Sequence, residues 1–127
     1  MRLDAALEHI KLRCAQSYAL PSDEMITALL HEALIYVARS CEPTVLIRHD
    51  GSEHFGEGVL RLLPNNREII FPEKPDITKP QKHLMMDEEL SFAVINYVCF
   101  LLCKEAGYLQ ICDRDILLYV KNQYSVV

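Results

Sequence analysis

The feature that most constrains this chain is a change of hydrophobic period. Apolar residues recur at helical spacing toward both ends, and that spacing stops between Pro43 and Pro80. Near the start, Leu3, Leu7, Ile10 and Cys14 fall every three or four positions, with Glu8, Lys11 and Arg13 off that line, which predicts a first helix reaching Tyr18. Leu20-Pro21 interrupts it, because proline disfavours helix at the residue before it. Ser22 can then cap the free amides of a second helix, and Asp23 and Glu24 suit its positive end. This helix is predicted from about Asp23 to Ser40, with Ile26, Leu29, Leu30, Ala33, Leu34 and Val37 facing inward.

The middle reads differently. Thr44-Val45-Leu46-Ile47-Arg48 is short and rich in β-branched residues, and Asp50-Gly51-Ser52 favours a loop. Gly58–Leu63 and Arg67–Phe71 flank Pro64-Asn65-Asn66 and predict a hairpin, since asparagine tolerates left-handed backbone. Beyond it, Pro72, Pro75 and Pro80 remove amide donors, and Lys74, Lys79 and Lys82 favour solvation, so an exposed crossing loop is expected. Phe71, Ile77, Leu84, Met85 and Met86 lie in or beside this loop, where a methionine-rich surface would adapt to a partner.

Helical spacing returns after Asp87-Glu88-Glu89, whose charges complement a helix start. Leu90, Ala93, Val94, Tyr97, Val98, Leu101 and Leu102 give this third helix a wide apolar face, and Gly107 is expected to end it. A last helix is predicted from about Asp113 to Tyr124, with Ile116, Leu117, Val120 and Tyr124 in its stripe. The expected fold is therefore mainly α. It is a small bundle of about four helices with a central β-hairpin insertion over 44–71 and a proline-containing extended loop over 72–86, in a single domain of 127 residues.

Composition removes several function classes. A net charge of −5, with no clustered Lys and Arg, opposes a non-specific phosphate-binding surface. The first residues run straight into an amphipathic pattern without the apolar stretch of a signal peptide, which points to the cytosol. The apolar window Leu90–Cys103 is too short to cross a bilayer and reads as a core helix. Five cysteines, Cys14, Cys41, Cys99, Cys103 and Cys112, are odd in number and sit in apolar segments, as reduced core thiols do.

Candidate chemistry is sparse. Cys99 and Cys103 are one helical turn apart, half of a tetrahedral metal site, but they lie among Tyr97, Val98, Phe100 and Leu101 and read as packing. His49 and His54 flank a loop with Asp50, Glu53 and Glu57. That loop lacks the ligand order of a calcium site, so a solvated loop is the expectation. No nucleophile elbow, phosphate-cradling glycine loop or paired-histidine metalloprotease motif is present, so no catalytic residue, cofactor or metal is expected.

In its order of elements the chain resembles the head-to-tail connector (adaptor) proteins of tailed bacteriophages. Two helices come first, then a hairpin whose strand ends in Leu63-Pro64, a proline-containing passage and two further helices. The residues that carry the resemblance are Thr27-Ala28-Leu29-Leu30-His31-Glu32-Ala33-Leu34 with the following Arg39, and Glu88-Glu89-Leu90-Ser91-Phe92-Ala93-Val94. The resemblance implies a non-catalytic virion neck protein, made in the host cytoplasm. It would assemble as a ring, typically twelve-fold, beneath the portal and against a tail or tail-completion protein. DNA would pass through the channel without specific binding, and no membrane would be involved. The implied contacts lie in Thr44–Phe71 and Lys121–Val127, and together with the proline loop they name Arg48, Phe71, Lys74, Pro75, Lys79, Lys121, Tyr124, Val126 and Val127 as partner-binding candidates. Two other readings compete: a small cytoplasmic regulatory protein that sequesters one partner, and a metal-dependent enzyme using His49 and His54.

Overall fold

The proline-bounded segments become the elements of the structure, a computed structural model that describes residues 1–15, 19–49 and 58–125, without the side chains of Tyr124 and Ser125. In chain order these are α1 (Leu3–Cys14), α2 (Asp23–Ser40), β1 (Ile47–His49), β2 (Val59–Leu63), β3 (Arg67–Ile70), α3 (Ser91–Cys103) and α4 (Ala106–Ser125). Single 3-10 turns at Thr44–Leu46 and Glu88–Leu90 precede β1 and α3. The predicted class holds: four helices with a small antiparallel sheet inserted between the second and third.

α3 is the central helix and packs against α1, α2 and α4. Its Ala93, Val94, Ile95, Val98 and Cys99 are fully buried, so it is covered nearly all round, as a helix this apolar must be. α1 contributes Leu3, Ala6, Leu7, Ile10 and Cys14 to the same core, and α2 contributes Ile26, Leu30, Ala33, Leu34 and Val37. The start of α2 is built as its sequence predicts: the Ser22 hydroxyl accepts the Met25 amide at 3.2 Å, satisfying one of the helix's free donors.

The sheet has the order β1-β3-β2, with Ile47 opposite Ile69 and Leu63 opposite Arg67. Asn65 and Asn66 sit at φ 63° and 57°, the left-handed region that closes a tight hairpin and that asparagine reaches at low cost. Ile69 and Ile70 of β3, on opposite faces of the sheet, are both fully buried in the core, and Arg61 fastens the hairpin to the bundle. Its guanidinium donates to Ala38 O at 3.4 Å and to Cys41 O, carbonyls at the end of α2 that have no helical partner. Arg61→Ala is expected to lower stability by about 1 to 3 kcal/mol, the usual loss for charge-assisted hydrogen bonds, in a urea titration. An unchanged midpoint would mean that water replaces the guanidinium at no cost.

Four expectations are corrected. Thr44–Leu46 is a 3-10 turn and not strand, because the Thr44 and Val45 amides are held by a carboxylate from across the fold, which leaves only Ile47–His49 to pair. α3 does not run to Gly107. It ends at Cys103, where Lys104 adopts φ 58° and donates its amide to Phe100 O at 2.8 Å, a C-terminal turn that glycine usually supplies. α4 therefore begins at Ala106, well before Asp113, and its inward stripe is Cys112, Ile116 and Tyr119; Leu117 is 53% exposed. Finally, Leu84 and Met86 are buried and not available to a partner.

The proline loop is an ordered strap. Asp76 accepts the Thr78 amide and hydroxyl at 2.9 and 2.7 Å, forming a turn of the kind aspartate favours. Pro80 O and Lys82 O then accept the Asp4 and Leu3 amides at 2.8 and 3.0 Å, while the Leu84 amide donates to Met1 O at 2.8 Å. The strap thereby satisfies orphan donors at the start of α1, where Arg2 supplies no side-chain cap. The predicted α1 end at Tyr18 and the Asp50–Glu57 loop lie outside the described residues.

Candidate protein-interaction surface

Among the described residues Asp87 is the only buried carboxylate, and its surroundings explain why it is there. The 3-10 turn after α2 aims the Thr44 and Val45 amides at Asp87 Oδ2 and Oδ1, both at 3.0 Å. From α4, the Tyr119 hydroxyl donates to Oδ2 at 2.5 Å. Gln123 Nε2 donates to the Tyr119 oxygen and to Glu42 O, each at 3.1 Å, and the Thr44 hydroxyl lies 3.3 Å from Tyr119. Burial pushes the Asp87 carboxyl up, but the bonds from Tyr119, Val45 and Thr44 outweigh it and hold the group below its ordinary value. Burial, followed by the bond to Asp87, pushes Tyr119 up to about 12. Each group is occupied by its neighbours, so the network is a brace joining the end of α2, the approach to α3 and the middle of α4.

Thr44, Asp87 and Tyr119 form one side of an open cleft of about 460 Å³ whose rim also carries Glu89, Asp115 and Leu118. The cleft is acidic and half apolar. It adjoins the outer face of α4, where Leu118 is 50% and Leu117 53% exposed, with Ile111 beside them and Arg114 and Lys121 between. On the sheet, Leu62 is 79% exposed on β2, with Val59 near it. On α1, Leu12 is 71% exposed over a groove between α1, α2 and the strap. Large apolar side chains are thus displayed on several separate elements, including Met25 of α2 and Phe92 of α3, 54% and 40% exposed.

The partner-binding candidates distribute unevenly over this surface. Lys74, Lys79 and Lys121 are exposed, and Pro75 is half-buried where the strap crosses α2. Arg48 is half-buried and its guanidinium returns to the carbonyls of Val45 and Ile47, both at 2.9 Å. Phe71 is half-buried beside Gly58 and donates its amide to Gly58 O at 2.9 Å. The side chain of Tyr124, and Val126 and Val127 entirely, lie outside the described residues, as does His54. The strap residues and Lys121 lie on different elements. The residues that sequence reasoning missed are Arg114, Leu118 and Tyr119. Starting α4 seven residues earlier would have found them, since Cys112, Ile116, Tyr119 and Gln123 keep a single helical line.

The five cysteines are free and buried. Burial raises all five thiols, Cys14 and Cys103 to about 11 and Cys41 and Cys112 to about 12, so they remain protonated packing groups at neutral pH. Among the described residues, no three of His, Cys, Asp and Glu gather in a way that could hold a metal ion. No described helix is long and apolar enough to cross a membrane. No family model matches the sequence, and no significant match is found among curated proteins or solved structures.

Proposed function

We propose that this chain is a ring-forming structural adaptor of a tailed-phage particle, seated between the portal and the tail and lining the channel through which DNA passes. The observation that carries the reading is the display of large apolar side chains on unlike elements: Leu117 and Leu118 on α4, Leu62 on β2 and Leu12 on α1. A subunit in a head-to-tail ring needs two different faces for its neighbours, and a connector needs further surface for the structures above and below. The element order agrees with the resemblance, and a net charge of −5 suits a channel wall that does not retain phosphates.

The test is quantitative mass spectrometry of purified particles. About one copy per portal subunit is expected; absence from particles, with one protein co-purifying from the cytoplasm, would favour a sequestering protein instead. A second expectation concerns the strap. Lys74 and Lys79 are exposed, so Lys74→Ala with Lys79→Ala should change the unfolding free energy by no more than about 0.5 kcal/mol, yet reduce incorporation into particles. Normal incorporation would leave the strap with only its role at the start of α1.

A further inference from the structure

Within the ring-forming reading, on which this step rests, the outer face of α4 and the groove over α1 are complementary. α4 presents Ile111, Arg114, Leu117, Leu118 and Lys121 on the side opposite its buried stripe of Cys112, Ile116 and Tyr119. That face is apolar and carries two bases; the exposed acid at its edge, Asp113, accepts a hydrogen bond from the Tyr36 hydroxyl. Neither Arg114 nor Lys121 forms an ion pair within the described residues. The groove has a volume of about 620 Å³ and an apolar lining that includes Leu7, Leu12, Leu20 and Ile77. Its charged residues are Asp4, Glu8, Lys11 and Asp23, three acids and one base. Arg2 pairs with Asp4 and Lys11 with Asp23, both at 2.6 Å, which leaves Glu8 as the acid without an ion pair among the described residues.

We propose that neighbouring copies join by seating the Arg114–Lys121 face of α4 in the Glu8–Leu12 groove of the next copy. Both faces expose leucine beside charge of opposite sign, so seating buries apolar surface and brings Arg114 and Lys121 toward Glu8. The same juxtaposition between two faces of one kind would oppose like charges. The contact is therefore heterologous: each copy offers α4 to one neighbour and its groove to the other, and the series closes into a ring when the rotation permits.

A heterologous contact makes a distinctive prediction for mixtures. One variant, Leu117→Gln with Leu118→Gln, removes the apolar part of the α4 face but leaves it basic; a second, Glu8→Lys with Leu12→Lys, makes the groove basic, so the two altered faces repel each other. All four side chains are outward, so both variants should keep the parental circular dichroism and melting temperature. In sedimentation velocity the parental chain should form higher oligomers, and each variant alone should associate more weakly by on the order of tenfold or more. An equimolar mixture should stop at a dimer, because one intact α4 meets one intact groove and neither free end can extend. Variants that assemble like the parental chain, or a mixture that stays monomeric while the parental chain assembles, would overturn this interface and leave the ring reading standing. A parental chain that stays monomeric would overturn both.

Discussion

Replacing Leu34 by alanine is expected to lower the unfolding free energy by roughly 2 to 5 kcal/mol, the range for deleting a buried leucine side chain into a packed core. Leu34 has no exposed surface and lies on the inward line of α2, with Leu30 and Val37 beside it and α3 across from it. Removing its branched end forfeits the transfer energy of those carbons and leaves space that a close-packed core fills only by moving backbone. Leu118→Ala is the control: half-exposed, it should change stability by less than about 0.5 kcal/mol if it serves an interface and not the core. Urea unfolding followed by circular dichroism reads both. A small loss at Leu34 would mean that the inward face of α2 is wrongly identified.

Asp87→Ala is expected to lower stability by about 2 to 4 kcal/mol, because it leaves the Thr44 and Val45 amides and the Tyr119 hydroxyl without their acceptor in a buried place. The folded carboxyl lies below its ordinary value of 3.8. Its contribution is accordingly complete above that value and is lost as pH falls through the lower, folded pKa. Parental protein should therefore show an acid limb beginning near pH 4 that is shallower in Asp87→Asn, since the amide does not titrate in this range. Unfolding midpoints from pH 6 to pH 2 test this. An identical limb in Asp87→Asn would assign acid sensitivity to other carboxylates, and an unchanged midpoint for Asp87→Ala would mean that water enters the brace freely.

The hairpin and the two leading helices were legible because their signals are local. Ser22 before Asp23 marks a helix start wherever it occurs, and Asn65-Asn66 lowers the cost of a left-handed turn without help from the rest of the chain. The end of α3 was not legible. Lys104 in the left-handed region has no compositional mark, and Gly107, which looked like a stop, lies in the first turn of α4. The misplacement of that helix start carried the stripe with it, so Leu117 was expected inside and Tyr119 was overlooked. Asp87 was misread for a related reason: beside Glu88 and Glu89 it looks like a charge complementing a helix dipole, and only the approach of Thr44, Val45 and Tyr119 makes it a buried acceptor.

The interaction surface divides along the same line. Exposed lysines of the strap could be named from their proline neighbours, whereas Arg114 and Leu118 became a face only when α4 acquired its full length and turned Cys112 and Ile116 inward. By itself the sequence determined the helical class, the place of the hairpin and the burial of α2 and α3, because hydrophobic period and turn chemistry act over a few residues. The tertiary structure alone decided which carbonyls cap α1, which carboxylate is buried and which leucines are left outside. Those outcomes depend on groups 40 to 80 positions apart in the chain, such as Asp4 with Pro80 and Thr44 with Asp87, whose meeting no local pattern encodes.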